Sequence, residues 1–316
     1  MQPVMSEMSD QAIQDKTVMS SDVMSSEMTL PAEAAGLTEE TSIEIAQNIQ
    51  WTDITLESQS NPVATSYVCQ GEGPPLVLLH GFDSSLFEFR RLVPLLAKQY
   101  KVYAVDLLGF GFCDRAATED VNPALIQQHL LGFCQQIVGQ PVTLVGASMG
   151  GGVAIDFAVS HPTQVTQLVL LDAVGYATAS GPGKLMFPPL DRWVTNFLRS
   201  PWVRRKISEN AYYDKSFVTP DAELCAALHL LMPRWSEALI AFTKSGGYNF
   251  LSNRIAQISA PTLVLWGRQD KILGIKDAAR FAADINQCKL IWIEDCGHVP
   301  HLEQAKITTE HIINFL

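Results

Sequence analysis

One serine lies among glycines at the end of an apolar run. Residues 142–158 read VTLVGASMGGGVAIDFA, and the centre of this segment, from Gly146 to Gly150, matches the pattern GxSxG. The apolar residues before the serine predict a strand, and the small residues after it predict a helix. A serine on a sharp turn between a strand and a helix exposes its hydroxyl for attack on a carbonyl carbon. The sequence therefore predicts that Ser148 is a nucleophile.

A serine hydroxyl is a weak nucleophile, and it needs a base and a group that orients the base. His298 lies in EDCGHVPH, directly after the last predicted strand, and is the predicted base. Asp270 lies in LWGRQDKI, directly after the preceding strand, and is the predicted acid. The chain order Ser, Asp, His is typical of a triad at the carboxyl edge of such a sheet. Asp172, at the end of LVLLDA, remains an alternative acid.

Short β-branched or leucine-rich runs alternate with longer helical patterns from residue 51 onward. This alternation predicts a mostly parallel sheet that is covered by helices on both faces. Helices are predicted over Phe87–Tyr100 and over residues 122–139, where Asn122 is the predicted cap. The eight predicted strands are Trp51–Glu57, Ser66–Gln70, Pro75–Leu79, Lys101–Val105, Val142–Val145, Gln167–Asp172, Thr262–Trp266 and Lys289–Ile293.

The alternation of strands and helices lapses between Gly175 and Leu251. Helical runs in this stretch carry apolar residues four positions apart, such as Trp193 with Phe197, and this spacing places both on one helix face. We predict a helical cap over residues 175–251, inserted in a sheet domain made of residues 46–174 and 252–316.

The first 45 residues are predicted to form a disordered acidic tail. The first 50 residues hold nine acidic residues, one lysine and no Phe, Trp or Tyr, so they cannot bury enough apolar surface to offset chain entropy. Most of the net charge of −11 lies there, and the nearly neutral remainder offers no basic surface for nucleic acid.

No targeting segment is recognisable in the sequence. No apolar stretch has the length of about 20 residues that spans a bilayer, and the N-terminus lacks the features of a secretory or transit signal. The sequence therefore predicts a cytoplasmic protein or one peripheral to a membrane. The six cysteines are scattered without CxxC pairs, which predicts reduced thiols and no zinc cluster. We predict neither a metal nor a cofactor.

From Trp51 to Leu316 the chain resembles the α/β-hydrolase family, because the GxSxG turn, the acid loop, the histidine loop and a His-Gly turn at His80 occur in that family's order. The resemblance implies an α/β-hydrolase fold with an eight-stranded, mostly parallel sheet and an inserted cap. It implies an oxyanion hole built from the backbone N–H groups of Phe82 and Met149. It also keeps Asp172 open as the acid, because some members place the carboxylate after that strand.

Four segments resemble the chlorophyll dephytylases of photosynthetic organisms: HGFDSSLFEFRR, DLLGFGFCD, FTKSGGYN and CGHVPHLE. The resemblance implies a lipophilic ester substrate, with hydrolysis of the phytyl ester of chlorophyll through an acyl-enzyme. The candidate substrate contacts are Phe82, Trp193, Phe197, Trp235 and Tyr248. For Tyr248, docking of the cap onto the core is the alternative role.

The aromatic residues of the cap also predict peripheral contact with a membrane, a photosynthetic one if the dephytylase resemblance holds. Three other functions stay open. They are hydrolysis of another lipophilic ester, cleavage of carbon–carbon bonds or formation of peracids by a related enzyme, and ligand binding by a receptor with this fold.

Overall fold

An eight-stranded β-sheet forms the centre of the protein in the computed structural model, which describes residues 28–59, 61–116, 120–176 and 190–316. The strand order is β1-β2-β4-β3-β5-β6-β7-β8. β2 pairs antiparallel with β1 and β4, and all other neighbours are parallel, so the predicted mostly parallel sheet is confirmed. The strands are β1 (Gln50–Ile54), β2 (Val63–Gln70), β3 (Pro75–Leu79), β4 (Lys101–Val105), β5 (Val142–Ala147), β6 (Val165–Leu171), β7 (Thr262–Gly267) and β8 (Cys288–Ile293).

Helices cover both faces of the sheet. Every residue of β3, β5 and β7 is buried, as expected for parallel strands that read as continuous apolar runs. Val77 and Leu79 pack into the hydrophobic cluster on one face, and Leu76 and Leu78 pack into the cluster on the other. The helices are α1 (Glu40–Asn48), α2 (Val93–Leu96), α3 (Pro123–Phe133), α4 (Met149–Ser160), α5 (Leu190–Arg199), α6 (Pro201–Ala211), α7 (Pro220–Ala227), α8 (Trp235–Ser245), α9 (Lys276–Asp284), α10 (Pro300–Glu303) and α11 (Ala305–Ile313).

Two predicted helices differ from the observed ones. The predicted helix Phe87–Tyr100 is divided into a 3-10 turn, Leu86–Phe89, and the short α2, because Pro94 lacks the N–H that a continuous helix needs. The helix predicted over residues 122–139 begins as expected, with the Asn122 side chain accepting a hydrogen bond from the Leu125 N–H. It is α-helical only to Phe133 and then continues as a π-turn.

Four helices, α5 to α8, lie between β6 and β7, where the sequence predicts the cap. Residues 177–189 of the predicted cap lie outside the described residues. None of the helices in the described ranges is long and apolar enough to cross a membrane.

The predicted disorder of residues 1–45 is wrong for the last part of that segment. Residues 32–36 form a 3-10 turn, α1 begins at Glu40, and Leu37 and Ile45 are buried in the core. The Glu39 carboxylate accepts hydrogen bonds from Nε (2.6 Å) and Nη2 (2.8 Å) of Arg91. The segment that includes Leu37, Glu39 and Ile45 therefore packs against the core through a few apolar side chains and one bidentate ion pair, although its average composition is polar. Residues 1–27 of the predicted tail lie outside the described residues.

Deletion of residues 1–40 should destabilise the protein. It removes the buried Leu37 and the carboxylate of Glu39, a loss of about 3 kcal/mol in the free energy of unfolding. We expect the thermal midpoint to fall by roughly 5 °C or more. Deletion of residues 1–27 is the matched control, because the difference between the two truncated proteins isolates residues 28–40. Equal midpoints for both would show that this segment does not contribute to stability.

Candidate active site

Ser148 lies on the turn between β5 and α4 in a strained backbone conformation, with φ 50° and ψ −115°. Residues other than glycine seldom adopt a positive φ, and such strain is typical of functional sites. The neighbouring strand β6 holds this conformation. The Ser148 N–H donates to the carbonyl of Leu171 (2.9 Å), and the Ser148 carbonyl accepts from the N–H of Val174 (2.9 Å).

The two outer glycines of GxSxG make this turn sterically possible. A β-carbon at Gly146 would overlap the carbonyl oxygen of Gly150. A β-carbon at Gly150 would overlap the carbonyl oxygen of Leu79 at the end of β3. The absence of side chains at these two positions therefore lets the turn tighten against the sheet and lift Ser148 above its edge.

His298 and Asp270 form a buried hydrogen-bonded pair. His298 Nδ1 lies 3.0 Å from Asp270 Oδ2, and the two residues are 8% and 5% exposed. The second oxygen of Asp270 accepts from the N–H groups of Ile272 (2.7 Å) and Leu273 (3.2 Å). These donors fix the carboxylate, which in turn orients the imidazole with Nε2 free for proton transfer.

Two further observations describe the position of His298. The His298 N–H donates to the carbonyl of Ala211 (2.7 Å), so the end of α6 in the cap holds the histidine loop. Ser148 and His298 line the same cavity. The structure thus brings together the three residues that the sequence proposes for the triad.

Asp172, the alternative acid, lies beside this pair without a hydrogen bond to the imidazole. It follows β6, is fully buried, and its Oδ1 accepts from the N–H of Gly267 (2.9 Å). Burial, and then the negative charge of Asp270, raise the pKa of Asp172 well above its usual range. Asp270, not Asp172, accepts the hydrogen bond from His298 Nδ1.

Within the part of the chain that the structure describes, Asp172, Asp270 and His298 form the one group of acidic, imidazole or thiol side chains close enough to suggest a metal ion. The 3.0 Å separation of Nδ1 and Oδ2 places a proton between His298 and Asp270. Such a hydrogen-bonded pair can carry out acid–base chemistry.

The predicted oxyanion-hole donors belong to two different segments of the chain. Met149 is the first residue of α4, and Phe82 lies in the loop after β3. Among the described residues, no protein acceptor contacts the N–H of either one. Both donors are therefore available to a substrate oxygen.

Two buried polar side chains brace the loop that carries Phe82. His80 Nε2 accepts from the N–H of Leu107 (3.1 Å), which leaves Nδ1 to donate to the Gly81 carbonyl (2.8 Å). Glu88 accepts from the Gly81 N–H (2.6 Å) and lies 3.2 Å from His301. Burial opposes the charged form, but His301 and the Gly81 N–H lower the pKa of Glu88 to about 2. These contacts give His80 a structural role in ordering the loop that carries Phe82.

Asp83, whose contacts the sequence did not predict, connects the oxyanion loop to the cap. Its carboxylate accepts from Trp235 Nε1 (2.8 Å), from Arg204 Nη1 (2.6 Å) and from His229 Nε2 (3.2 Å). These donors belong to α8, α6 and the 3-10 turn after α7. The position of the Phe82 N–H therefore depends on the cap. The sequence signal was the acidic residue directly after the predicted oxyanion donor.

The cavity beside Ser148 has a volume of about 260 Å³. Residues of the loop after β3, of α6 and of α7 line it, together with Ser148 and His298. Phe82 lies on this wall, as predicted for a substrate contact, and its side chain is 46% exposed. Trp193 and Phe197 are 77% and 60% exposed, and neither is among the described residues that line the cavity.

The predicted substrate contacts of Trp235 and Tyr248 are corrected by the structure. Trp235 is buried, and its indole N–H is used by Asp83. Tyr248 is buried, packs near Gly152 of α4 and lies beside the ring of Phe242. The spacing of apolar residues in the sequence predicts that these rings are buried, but it does not predict whether they contact the substrate or the core. Both side chains dock the cap onto the core.

Residues 76–310 match the profile of the alpha/beta hydrolase family. This range contains the serine turn, the acid and the histidine. The chain belongs to the alpha/beta hydrolase family. The fold predicted from the sequence is therefore confirmed as the fold of this hydrolase family.

Similar proteins of the family differ in their chemistry. The chain is 32% identical to the alpha/beta hydrolase domain-containing protein VTE7 of Arabidopsis thaliana over 76% of this chain and 73% of that protein. It is 27% identical to a 2-hydroxymuconate semialdehyde hydrolase of Pseudomonas sp. over 80% of this chain and 90% of that one. Among solved structures, a thermophilic esterase of Thermogutta terrifontis superposes with a TM-score of 0.72 at 25% identity, covering 84% of this chain and 97% of that one.

Proposed function

We propose that this hydrolase cleaves carboxylic esters through an acyl-enzyme on Ser148. The observation that carries the proposal is the buried His298–Asp270 pair on the cavity that Ser148 lines. In this mechanism Ser148 attacks the ester carbonyl while His298 takes its proton, and the N–H groups of Phe82 and Met149 stabilise the oxyanion. His298 then protonates the leaving alcohol, and a water that it activates releases the acid.

Cleavage of carbon–carbon bonds is the second candidate function. It is favoured by the 27% identity to 2-hydroxymuconate semialdehyde hydrolase. The two functions differ in their products. Ester hydrolysis releases an alcohol and an acid, whereas hydrolysis of a carbon–carbon bond releases an acid and a second fragment that carries a new C–H bond. Analysis of the products distinguishes them.

For the substrate, we propose the phytyl ester of chlorophyll or of a close derivative. The support is the resemblance of the four sequence segments to chlorophyll dephytylases, together with the relative from a plant. The cavity of about 260 Å³ lies below the volume of about 300–1,000 Å³ that is typical of enclosed ligand sites. An ester with a C20 chain and a tetrapyrrole would therefore extend beyond the cavity, with only the scissile bond and its neighbours inside.

Exposed apolar side chains lie where such a substrate would emerge. Phe82, Ile207 and Ile272 line the cavity and are also exposed. Trp193 and Phe197 lie on the exposed surface of α5, four residues apart on one face of the helix. Exposed aromatic rings of this kind suit the polar boundary of a lipid bilayer. We propose that the cap makes peripheral contact with a membrane that contains the substrate.

Incubation of the purified protein with chlorophyll, pheophytin and short-chain aryl esters tests the proposed function. We expect release of phytol and of the dephytylated pigment, separated by chromatography, in detergent and in lipid vesicles. The double variant Trp193→Ala/Phe197→Ala should lose turnover in vesicles more than in detergent, because only the membrane contact is weakened. Ile307→Ala, an exposed apolar residue on α11, is the matched control.

Three outcomes would each contradict one of these proposals. Turnover of aryl esters without any dephytylated pigment would overturn the chlorophyll substrate and leave a general esterase. Equal activity of the double variant and the parent in vesicles would overturn the membrane contact. No turnover of any ester would overturn ester hydrolysis itself.

A further inference from the structure

Asp172 is a buried acidic group beside the triad that the mechanism above does not use. It directly follows β6 with a positive φ of 41°, and its side chain is fully buried. Oδ1 accepts the N–H of Gly267 at the end of β7. Oδ2 has no hydrogen-bond donor in contact with it among the residues that the structure describes. A buried oxygen without a donor is costly for a charged carboxylate.

The two carboxyl groups are close neighbours with unequal hydrogen bonding. Single atoms of Asp172, Asp270 and His298 all lie within 4.8 Å of one another. Asp270 receives three N–H donors, from Ile272, Leu273 and His298. Asp172 receives one N–H donor, that of Gly267. Two buried carboxylates at this separation do not both stay charged, and the one with more donors keeps the charge.

Among the residues that the structure describes, the other groups around Asp172 do not supply a compensating positive charge. Glu303 on α10 is acidic, and it accepts the N–H groups of Tyr213, Asp214 and Gly297. Cys296 is a buried thiol whose pKa is raised by burial and by these carboxylates. His298, whose Nδ1 is already hydrogen-bonded to Asp270, is a further titratable group beside the pair.

We propose that Asp172 is protonated and donates a hydrogen bond from Oδ2 to the Asp270 carboxylate, which makes it a positioning residue for the acid of the triad. The raised pKa of Asp172 agrees with this assignment, and so does the position of a carboxyl oxygen of Asp172 within 4.8 Å of Asp270 and His298. A hydrogen bond from neutral Asp172 restrains the Asp270 carboxylate, and it adds no second negative charge beside His298. The inference rests on the proposed function, because it gives Asp172 a role only if Ser148, His298 and Asp270 act as a triad.

The variants Asp172→Asn and Asp172→Ala separate this role from a structural one. The asparagine amide matches a protonated carboxyl group, because its oxygen can accept from Gly267 and its NH₂ can donate to Asp270. We expect Asp172→Asn to keep kcat/KM for an aryl ester within about threefold of the parent, whereas Asp172→Ala should lower kcat by about tenfold or more with KM nearly unchanged.

The pH profile reports the charge of Asp172 directly. The acidic limb of kcat/KM follows protonation of the catalytic base. If Asp172 is neutral, the acidic limb of Asp172→Asn should coincide with that of the parent. If Asp172 is charged, removal of its charge should move the acidic limb to lower pH by about one unit or more. Such a shift, or equal losses of kcat in Asp172→Asn and Asp172→Ala, would overturn the proposal.

Infrared spectroscopy keeps the proposal testable even if the alanine variant does not fold. The parent at neutral pH should show the C=O stretch of a buried protonated carboxyl group, and Asp172→Asn should lack it. An identical carboxyl band in both proteins would contradict the assignment. These results are distinguishable from failure of the proposed function, in which the aryl-ester activity of the parent would persist in Ser148→Ala.

Discussion

Replacement of Ser148 by alanine should lower kcat/KM for an aryl ester by about 10⁴-fold or more while the fold is retained. Only the attacking oxygen is removed. The N–H groups of Phe82 and Met149 and the wall of the cavity stay in place, so a small residual rate above that of water is expected. Because alanine tolerates the backbone at this turn no worse than serine does, the thermal midpoint should remain close to that of the parent.

The control for this variant is Ser252→Ala, which alters an exposed serine on the 3-10 turn after α8. It should have the activity of the parent. A Ser148→Ala protein that is folded and keeps hydrolysis within tenfold of the parent would remove Ser148 from the mechanism.

Replacement of Asp270 by asparagine should lower kcat by about 10³- to 10⁴-fold. The asparagine oxygen can still accept from the N–H groups of Ile272 and Leu273, so the loop after β7 should keep its shape. Its NH₂ group would then donate to His298 Nδ1. The imidazole would carry its proton on Nε2, and Nε2 could no longer accept the proton of Ser148. Steady-state kinetics on the same aryl ester measures the loss.

Asp172→Asn is the matched comparison for Asp270→Asn, since it makes the same chemical change in the neighbouring carboxyl group. The account expects a loss in Asp270→Asn at least a hundredfold greater than in Asp172→Asn. The reverse ranking would move the acid of the triad to Asp172.

The sheet and the serine turn were the features most accessible to sequence reasoning. Buried parallel strands such as β3 and β5 are continuous apolar runs, and these are visible locally. The glycines around Ser148 reveal a turn that larger residues could not form. Asp270 and His298 could be proposed because each directly follows a strand, and the ends of parallel strands meet at one edge.

Contacts between distant segments were not accessible in this way. Asp83 binds Arg204 across 121 positions of the chain, and no local pattern identifies such a pair. The docking of Leu37 was missed because composition averages over a segment whereas burial depends on single side chains. Helical spacing predicts that Trp193 and Phe197 share one helix face, but it does not predict whether that face is buried or exposed.

Covalent labelling with an alkyl fluorophosphonate tests the central claim most directly. The oxygen of a serine that an adjacent base activates attacks the phosphorus of this reagent, forms a phosphonate ester and displaces fluoride. Mass spectrometry of the intact protein gives the stoichiometry, and peptide mapping gives the residue. The account predicts one adduct per chain on Ser148, none on Ser148→Ala, and much slower labelling of Asp270→Asn. A folded, catalytically active parent that stays unlabelled, or that carries its adduct on another residue while Ser148 is unmodified, would contradict it.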